Sequence, residues 1–103
     1  MKRVIDGKRY DTERAQEIGS WWNGYGNNDF KYCAETLYIT AKGNYFLAGN
    51  GGAMSKYAES HGNSTCGGCG IFPLSREEAF LWAQENLEPK DFQEHFSDMI
   101  EDA

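Results

Sequence analysis

The sequence predicts an α+β domain: a small antiparallel sheet with an N-terminal hairpin, one short helix after it, two C-terminal helices, and a loop stapled by zinc. Three observations lead there. Asp6-Gly7 sits between two short runs rich in Val, Ile and Tyr, the signal of a two-residue hairpin turn. After Leu74 the apolar spacing changes from alternating to helical. Between these regions, Cys66 and Cys69 lie three positions apart in a glycine-rich stretch.

In chain order, Lys2 to Ile5 and Lys8 to Tyr10 form the hairpin strands. Asp11 and Thr12 offer N-cap oxygens for a short helix over 13–20, with Ala15, Ile18 and Trp22 facing inward. Residues 21–30 are aromatic and rich in Gly and Asn without a period, which predicts an ordered loop whose tryptophans serve packing more readily than partner anchoring. Residues 36–41 and 44–48 read as two strands joined around Lys42-Gly43, with Tyr38, Ile39, Tyr45 and Phe46 suited to a pleated surface. Apolar residues on both faces predict a central pair covered by helices. Gly49 to Gly52 lacks the ending of a phosphate loop and reads as a sharp turn. Residues 53–58 read as one more strand.

The stretch from His61 to Gly70 is the candidate metal loop. Two thiolates at this spacing, with glycines between them, can bind one zinc ion without straining the backbone. A tetrahedral site needs two more ligands, and Cys33 and His61 are the candidates, giving a set of Cys33, His61, Cys66 and Cys69, with His95 in reserve. The spacing favours zinc over reduced thiols, and over a redox dithiol, because Ile71-Phe72-Pro73 cannot begin the helix that would lower a thiol pKa. A disulfide would leave one of three cysteines unpaired, which suits a reducing compartment.

Ser75 and Glu78 form a capping-box pair, and Ala79, Trp82 and Ala83 mark one helical face. Pro89 fits the first turn of a final helix in which Phe92, Phe96, Met99 and Ile100 form an inward stripe. Asp91, Glu94, Asp98 and Glu101 form a second stripe on that helix, whose carboxylates are expected about 4.5–6 Å apart along the axis.

At 103 residues the chain is expected to be one domain, residues 1–103, with a modest core. No run is long enough to span a membrane, and residues 1–6 lack the apolar stretch of a signal peptide, so a cytoplasmic protein is expected. Sixteen acidic against ten basic side chains give a net charge of −6. Residues 75–103 hold nine acids against Arg76 and Lys90, whereas residues 1–74 are close to neutral. A field of that sign repels nucleic acid and attracts basic surfaces.

Catalytic signatures are absent. No HExxH, GxSxG or complete nucleotide loop occurs, and Glu77-Glu78 point in different directions on a helix. A deaminase would need a His-x-Glu upstream of its cysteine pair, and His61-Gly62-Asn63 does not supply it. The expectation is a protein that is not an enzyme.

Asp11-Thr12, Leu37-Tyr38, Lys42-Gly43 with Phe46-Leu47, Gly51-Gly52, and Pro73-Leu74-Ser75 with Glu78-Ala79 and Trp82 span most of the chain. As a set they resemble small proteins of phages and mobile elements that are similar to type II-A anti-CRISPR proteins, inhibitors of an RNA-guided nuclease. The resemblance implies a protein partner, the CRISPR effector nuclease in the cytoplasm of the bacterial host, and an inhibitor that blocks target-DNA loading. Such nucleases hold nucleic acid in positively charged channels. Asp91, Glu94, Asp98 and Glu101, with Glu85 and Glu88 nearby, are then expected to imitate DNA and to meet Arg or Lys, with no direct contact to nucleic acid. The alternative is a zinc-stapled nucleic-acid module using Arg3, Lys8, Arg9 and Arg14 of the N-terminal hairpin, with Trp21 and Trp22 for stacking. A thiol oxidoreductase built on Cys66 is a third reading.

Overall fold

The centre of the molecule is a strand that is apolar on both faces, Tyr-Phe-Leu-Ala from residue 45 onward, and the rest of the chain arranges itself to cover both of those faces. A computed structural model describes residues 1–26, 28–61 and 64–101, with the side chains of residues 60, 61 and 64–66 outside the description. In chain order the strands are β1 (Lys2–Ile5), β2 (Lys8–Asp11), β3 (Gln16–Trp22), β4 (Cys33–Ile39), β5 (Tyr45–Gly51), β6 (Glu59–His61), β7 (Ser64–Cys66) and β8 (Gly68–Leu74). Helices α1 (Arg76–Asn86) and α2 (Pro89–Phe96) follow, and a 3₁₀ turn covers Ser97–Met99. The main sheet is antiparallel with order β3-β4-β5-β8, while β1-β2 and β6-β7 are separate two-stranded hairpins.

The first hairpin forms where the sequence places it. Asp6 and Gly7 both have positive φ, 52° and 75°, the conformation of a type I′ turn whose twist matches its strands. The short helix expected over 13–20 is instead strand β3. Asp11 does cap a turn, its Oδ1 accepting from the Glu13 amide at 3.0 Å and its carbonyl from the Ala15 amide at 3.1 Å. That turn ends after one cycle. Gly19 disfavours helix by about 1 kcal/mol relative to Ala, and Ile18, Trp21 and Trp22 are strand formers, the two tryptophans pairing with Glu35 and Ala34 of β4. A bulge between Glu17 and Gly19 turns Ile18 into the core. Among the described residues there are therefore two α-helices where three are expected. Trp21 and Trp22 belong to β3, and the loop between strands is residues 23–32.

Strands β4 and β5 run longer toward the glycines than expected, and Gly49 to Gly51 are strand, not turn. Residues 53–58 form consecutive turns and bends in place of the expected strand. Pro73 lies in β8, where an edge position spares it the ladder bond that it cannot donate.

Alternation along β4, β5 and β8 defines two faces. One carries Leu37, Leu47 and Tyr45 and is covered by Ala79 and Ala83 of α1 and Phe96 of α2, with Ile18 completing the cluster. The other carries Phe46, Ala48 and Ile71 and is covered by Tyr10 of the first hairpin, flanked by Ile5 and Ala15. The expected helical cover is thus present on one face only. Helix α1 starts at the predicted capping box, with Ser75 Oγ accepting from the Glu78 amide at 3.1 Å and Glu78 Oε1 accepting from the Ser75 amide at 2.9 Å. Pro89 occupies the first turn of α2, and Phe92 stacks on the fully buried Phe96 at 5.6 Å. Among the described residues no helix is long and apolar enough to cross a membrane.

Candidate functional site

Register decides the fate of the four-ligand zinc set. Cys33 pairs with Gly51, which pairs with Gly68, so these three point to the helical face. Asn50 pairs with both Ala34 and Cys69, which points Cys69 to the other face. Cys33 is buried and Cys69 exposed, as this geometry requires. With strand β5 between them and their side chains on opposite faces, Cys33 and Cys69 do not meet at one ion, and Cys33 leaves the proposed set. His61 pairs with Ser64 at the turn end of the β6-β7 hairpin and Cys66 with Glu59 at its open end, and the side chains of His61 and Cys66 lie outside the described residues. No three His, Cys, Asp or Glu side chains gather around a possible ion among the described residues, His95 on α2 included. Burial, and then the neighbouring Glu35 charge, push the Cys33 thiol up.

The C-terminal carboxylates are partly where the sequence puts them. Glu85 on α1, Glu88 at the start of α2 and Glu94 on α2 are exposed, and Asp91 is half-buried. Helix α2 ends at Phe96, so Asp98 falls in the 3₁₀ turn and Glu101 beyond it. The continuous helical stripe is therefore cut after Glu94. Asp98 is engaged at the surface by the Arg76 guanidinium of the same chain, whose hydrogen bond holds its carboxyl below the usual range. Glu85, Glu88, Asp91, Glu94 and Glu101 form no ion pair among the described residues. Asp98 is thus better read as a clasp between the two helical ends than as part of the open acidic surface.

The residue that composition and motif reasoning miss is Glu35. It stands in β4 on the inward register of Cys33, Leu37 and Ile39, and it is only 5% exposed. Three donors converge on it, two from the turns over 53–58 and one from α1. The Tyr57 hydroxyl donates to Oε2 at 2.5 Å, the Trp82 indole N–H of α1 donates to Oε1 at 3.2 Å, and Lys56 Nζ lies 2.6 Å from Oε2. Burial, followed by the hydrogen bond to Glu35, drives the Tyr57 phenol pKa well above its ordinary value, which keeps it a donor. Lys56 also lies 5.6 and 5.5 Å from the ring centres of Tyr57 and Phe72, where the ring faces attract its charge. The sequence signal was available: a lone acid in an otherwise apolar alternation.

Three glycines, Gly49, Gly51 and Gly68, make room for this arrangement. Gly49 pairs with Gly70 and Gly51 with Gly68, so all four lie on the helical face. A Cβ at Gly49 would collide with the Tyr57 hydroxyl and meet the Ala34 carbonyl oxygen at 2.8 Å, and one at Gly51 would strike Ser55. The turn over 52–58 therefore lies directly on bare backbone. It is tied there by the Gly52 amide to the Tyr32 carbonyl at 2.9 Å and the Met54 amide to the Phe30 carbonyl at 2.7 Å. Gly49→Ala is expected to lower stability by about 1–3 kcal/mol, because the Tyr57 ring is held by Glu35 and cannot swing away. Gly26→Ala, with open space around it, should be nearly neutral. Paired urea melts check both.

The arrangement around Glu35 is a closed electrostatic knot. Every buried side-chain polar atom among the described residues has a partner. Its chemistry is that of holding the 52–58 turn and α1 against the sheet. The surfaces left with unsatisfied chemistry are the acidic helical end and a basic groove beside the first hairpin. No protein-family model, curated protein or solved structure matches this chain.

Proposed function

We propose that this chain is an inhibitory binding protein whose acidic helical end occupies a cationic nucleic-acid channel of a type II CRISPR RNA-guided nuclease and excludes target DNA. One observation carries the reading: Glu85, Glu88, Glu94 and Glu101 are exposed and have no ion-pair partner among the described residues. Unpaired surface carboxylates repel one another, and a partner supplying arginines relieves that repulsion while forming charge-assisted hydrogen bonds. The aromatic stack of Phe80, Phe92 and Phe96 gives the α2 carboxylates a fixed base. An ordered helix loses less freedom on binding than a charged tail. The type of nuclease comes from the resemblance carried by the segments from Asp11-Thr12 to Trp82.

The test is charge reversal away from internal contacts. Glu88→Lys with Glu94→Lys should weaken blockade of target-DNA binding by at least tenfold, and blockade by the unaltered chain should fall with added salt. Arg76→Gln, which frees Asp98 and changes no exposed carboxylate on α2, should leave blockade within about threefold, since an exposed pair contributes roughly 0–1 kcal/mol. Undiminished blockade by the doubly reversed chain would show that another surface makes the contact.

A further inference from the structure

On the sheet face away from the helices, the first hairpin and the β4-β5 turn enclose an open groove of about 490 Å³. Lys8, Arg9, Arg14 and Lys42 line it, together with Tyr10, Asp11, Thr40 and Asn44. These are four of the ten cationic side chains of the molecule, set against one carboxylate, in a protein whose net charge is −6. Asp11 forms an ion pair with Arg14 at 3.8 Å, and that arginine remains 74% exposed. Lys8, Arg9 and Lys42 have no ion-pair partner among the described residues. Unpaired like charges around a concavity focus a positive potential there.

We propose that this groove binds the sugar–phosphate backbone of a single-stranded nucleic acid, without reading its bases. The shape favours a strand over a small anion. The groove is open, and its four cations are exposed on both walls, two from β2, one from the turn after it and one from the β4-β5 turn, so they meet phosphates along a track rather than enclose one. No exposed aromatic ring lines it, since Tyr10 is buried and Trp21 and Trp22 belong to β3 outside the lining. Base stacking is therefore absent from the interaction, and sequence preference should be weak.

The net negative charge does not forbid this. The helices and the first hairpin pack on opposite faces of the sheet, and successive layers are about 10 Å apart, which places the two charged regions on the order of 20 Å from each other. Screening at physiological salt has a decay length of about 8 Å, so a strand in the groove feels mainly its own walls. The groove is independent of the acidic surface. Lys42, which the sequence marks only as part of the junction between two strands, joins the hairpin cations because the β4-β5 turn folds beside them.

Fluorescence anisotropy of a labelled 20-nucleotide oligo(U), titrated with the full chain from 20 to 200 mM salt, tests the proposal. Neutralising three to four phosphates predicts a slope of log K against log salt of about −2 to −3, with binding that is weak at physiological salt. Arg9→Glu combined with Lys42→Glu should reduce affinity at least tenfold and flatten the slope by about 1.4 or more, with an unchanged melting temperature because both side chains are exposed. Lys90→Glu on α2, and the Glu88→Lys/Glu94→Lys pair, should not weaken binding. Equal binding by the groove variant, a slope near zero, or displacement by AMP as effective per phosphate as unlabelled oligo(U) would each overturn the proposal, the last by showing a small-anion site.

Discussion

Replacing Glu35 with Ala is expected to lower stability by about 3 kcal/mol, since it leaves the Tyr57 hydroxyl and Trp82 N–H without their acceptor and Lys56 without its counter-charge. For a domain of this size that corresponds to a fall in Tm of roughly 12–20 °C. Lys56→Met should cost much less, about 1 kcal/mol or under, because half of that side chain is already in water. Urea melts with unchanged m-values give both numbers. A loss under about 0.5 kcal/mol for Glu35→Ala would mean that the three elements are held by packing alone.

Tyr57 adds a pH signature to the same result. Its phenol is raised in the folded state above an ordinary value of 10.0, mainly by burial and then by Glu35. A raised pKa on folding means that the folded chain holds its proton more tightly than the unfolded chain. The stabilisation is therefore complete below pH 10 and is lost as pH climbs beyond it. Tyr57→Phe should be less stable than the parent at neutral pH yet lose less further stability above pH 10. Parallel alkaline curves for the two proteins would contradict the Glu35–Tyr57 bond as drawn.

The second large effect is at Phe96. Its side chain is fully buried, 5.8 Å from the Tyr45 ring centre and 6.0 Å from that of Phe80. Phe96→Ala is expected to cost about 3–5 kcal/mol through lost burial and the cavity left behind. Because α2 is only eight residues long, it has little helical stability of its own. Amide exchange should then rise over residues 89–99 more than over β4 and β5. Blockade of the nuclease should weaken as well, even though no carboxylate has been changed. A variant that loses several kcal/mol uniformly, with full blockade, would separate the acidic surface from the packing beneath it.

Local chemistry was legible in the sequence and long-range chemistry was not. Asp6-Gly7 needs only its own φ angles to announce a turn, and Ser75 with Glu78 needs only four residues to announce a helix start. Both stand as expected. Residues 13–20 carry an equally local signal, an Asp11 cap with Ala15, Ile18 and Trp22 at helical spacing, yet pairing with β4 overrides it. The glycines from 49 to 52 look like a turn because glycine is common in turns. Their reason here is tertiary, namely that Tyr57 and Ser55 lie where side chains would be. By composition Cys33 is the third thiol available to Cys66 and Cys69, but the register of β4, β5 and β8 turns Cys33 and Cys69 away from one another.

The candidate surface was half legible. Charge segregation to the C-terminal segment is a property of composition, so Glu85, Glu88 and Glu94 could be named without a structure. The division of labour among the acids could not, because it depends on where α2 stops and on Arg76 reaching Asp98 across two elements. Glu35 and Lys42 show the same limit from the other side. Each is one charged residue in a strand or turn, and each acquires its meaning from partners that are distant in the chain.

Hydrogen exchange on the complex of this protein with a guide-loaded type II nuclease tests the acidic-surface account most directly. Protection gained on binding should concentrate over residues 85–101, with residues 23–32 and 52–55 exchanging as in the free chain. Protection confined to those two loops, with 85–101 unchanged, would contradict it.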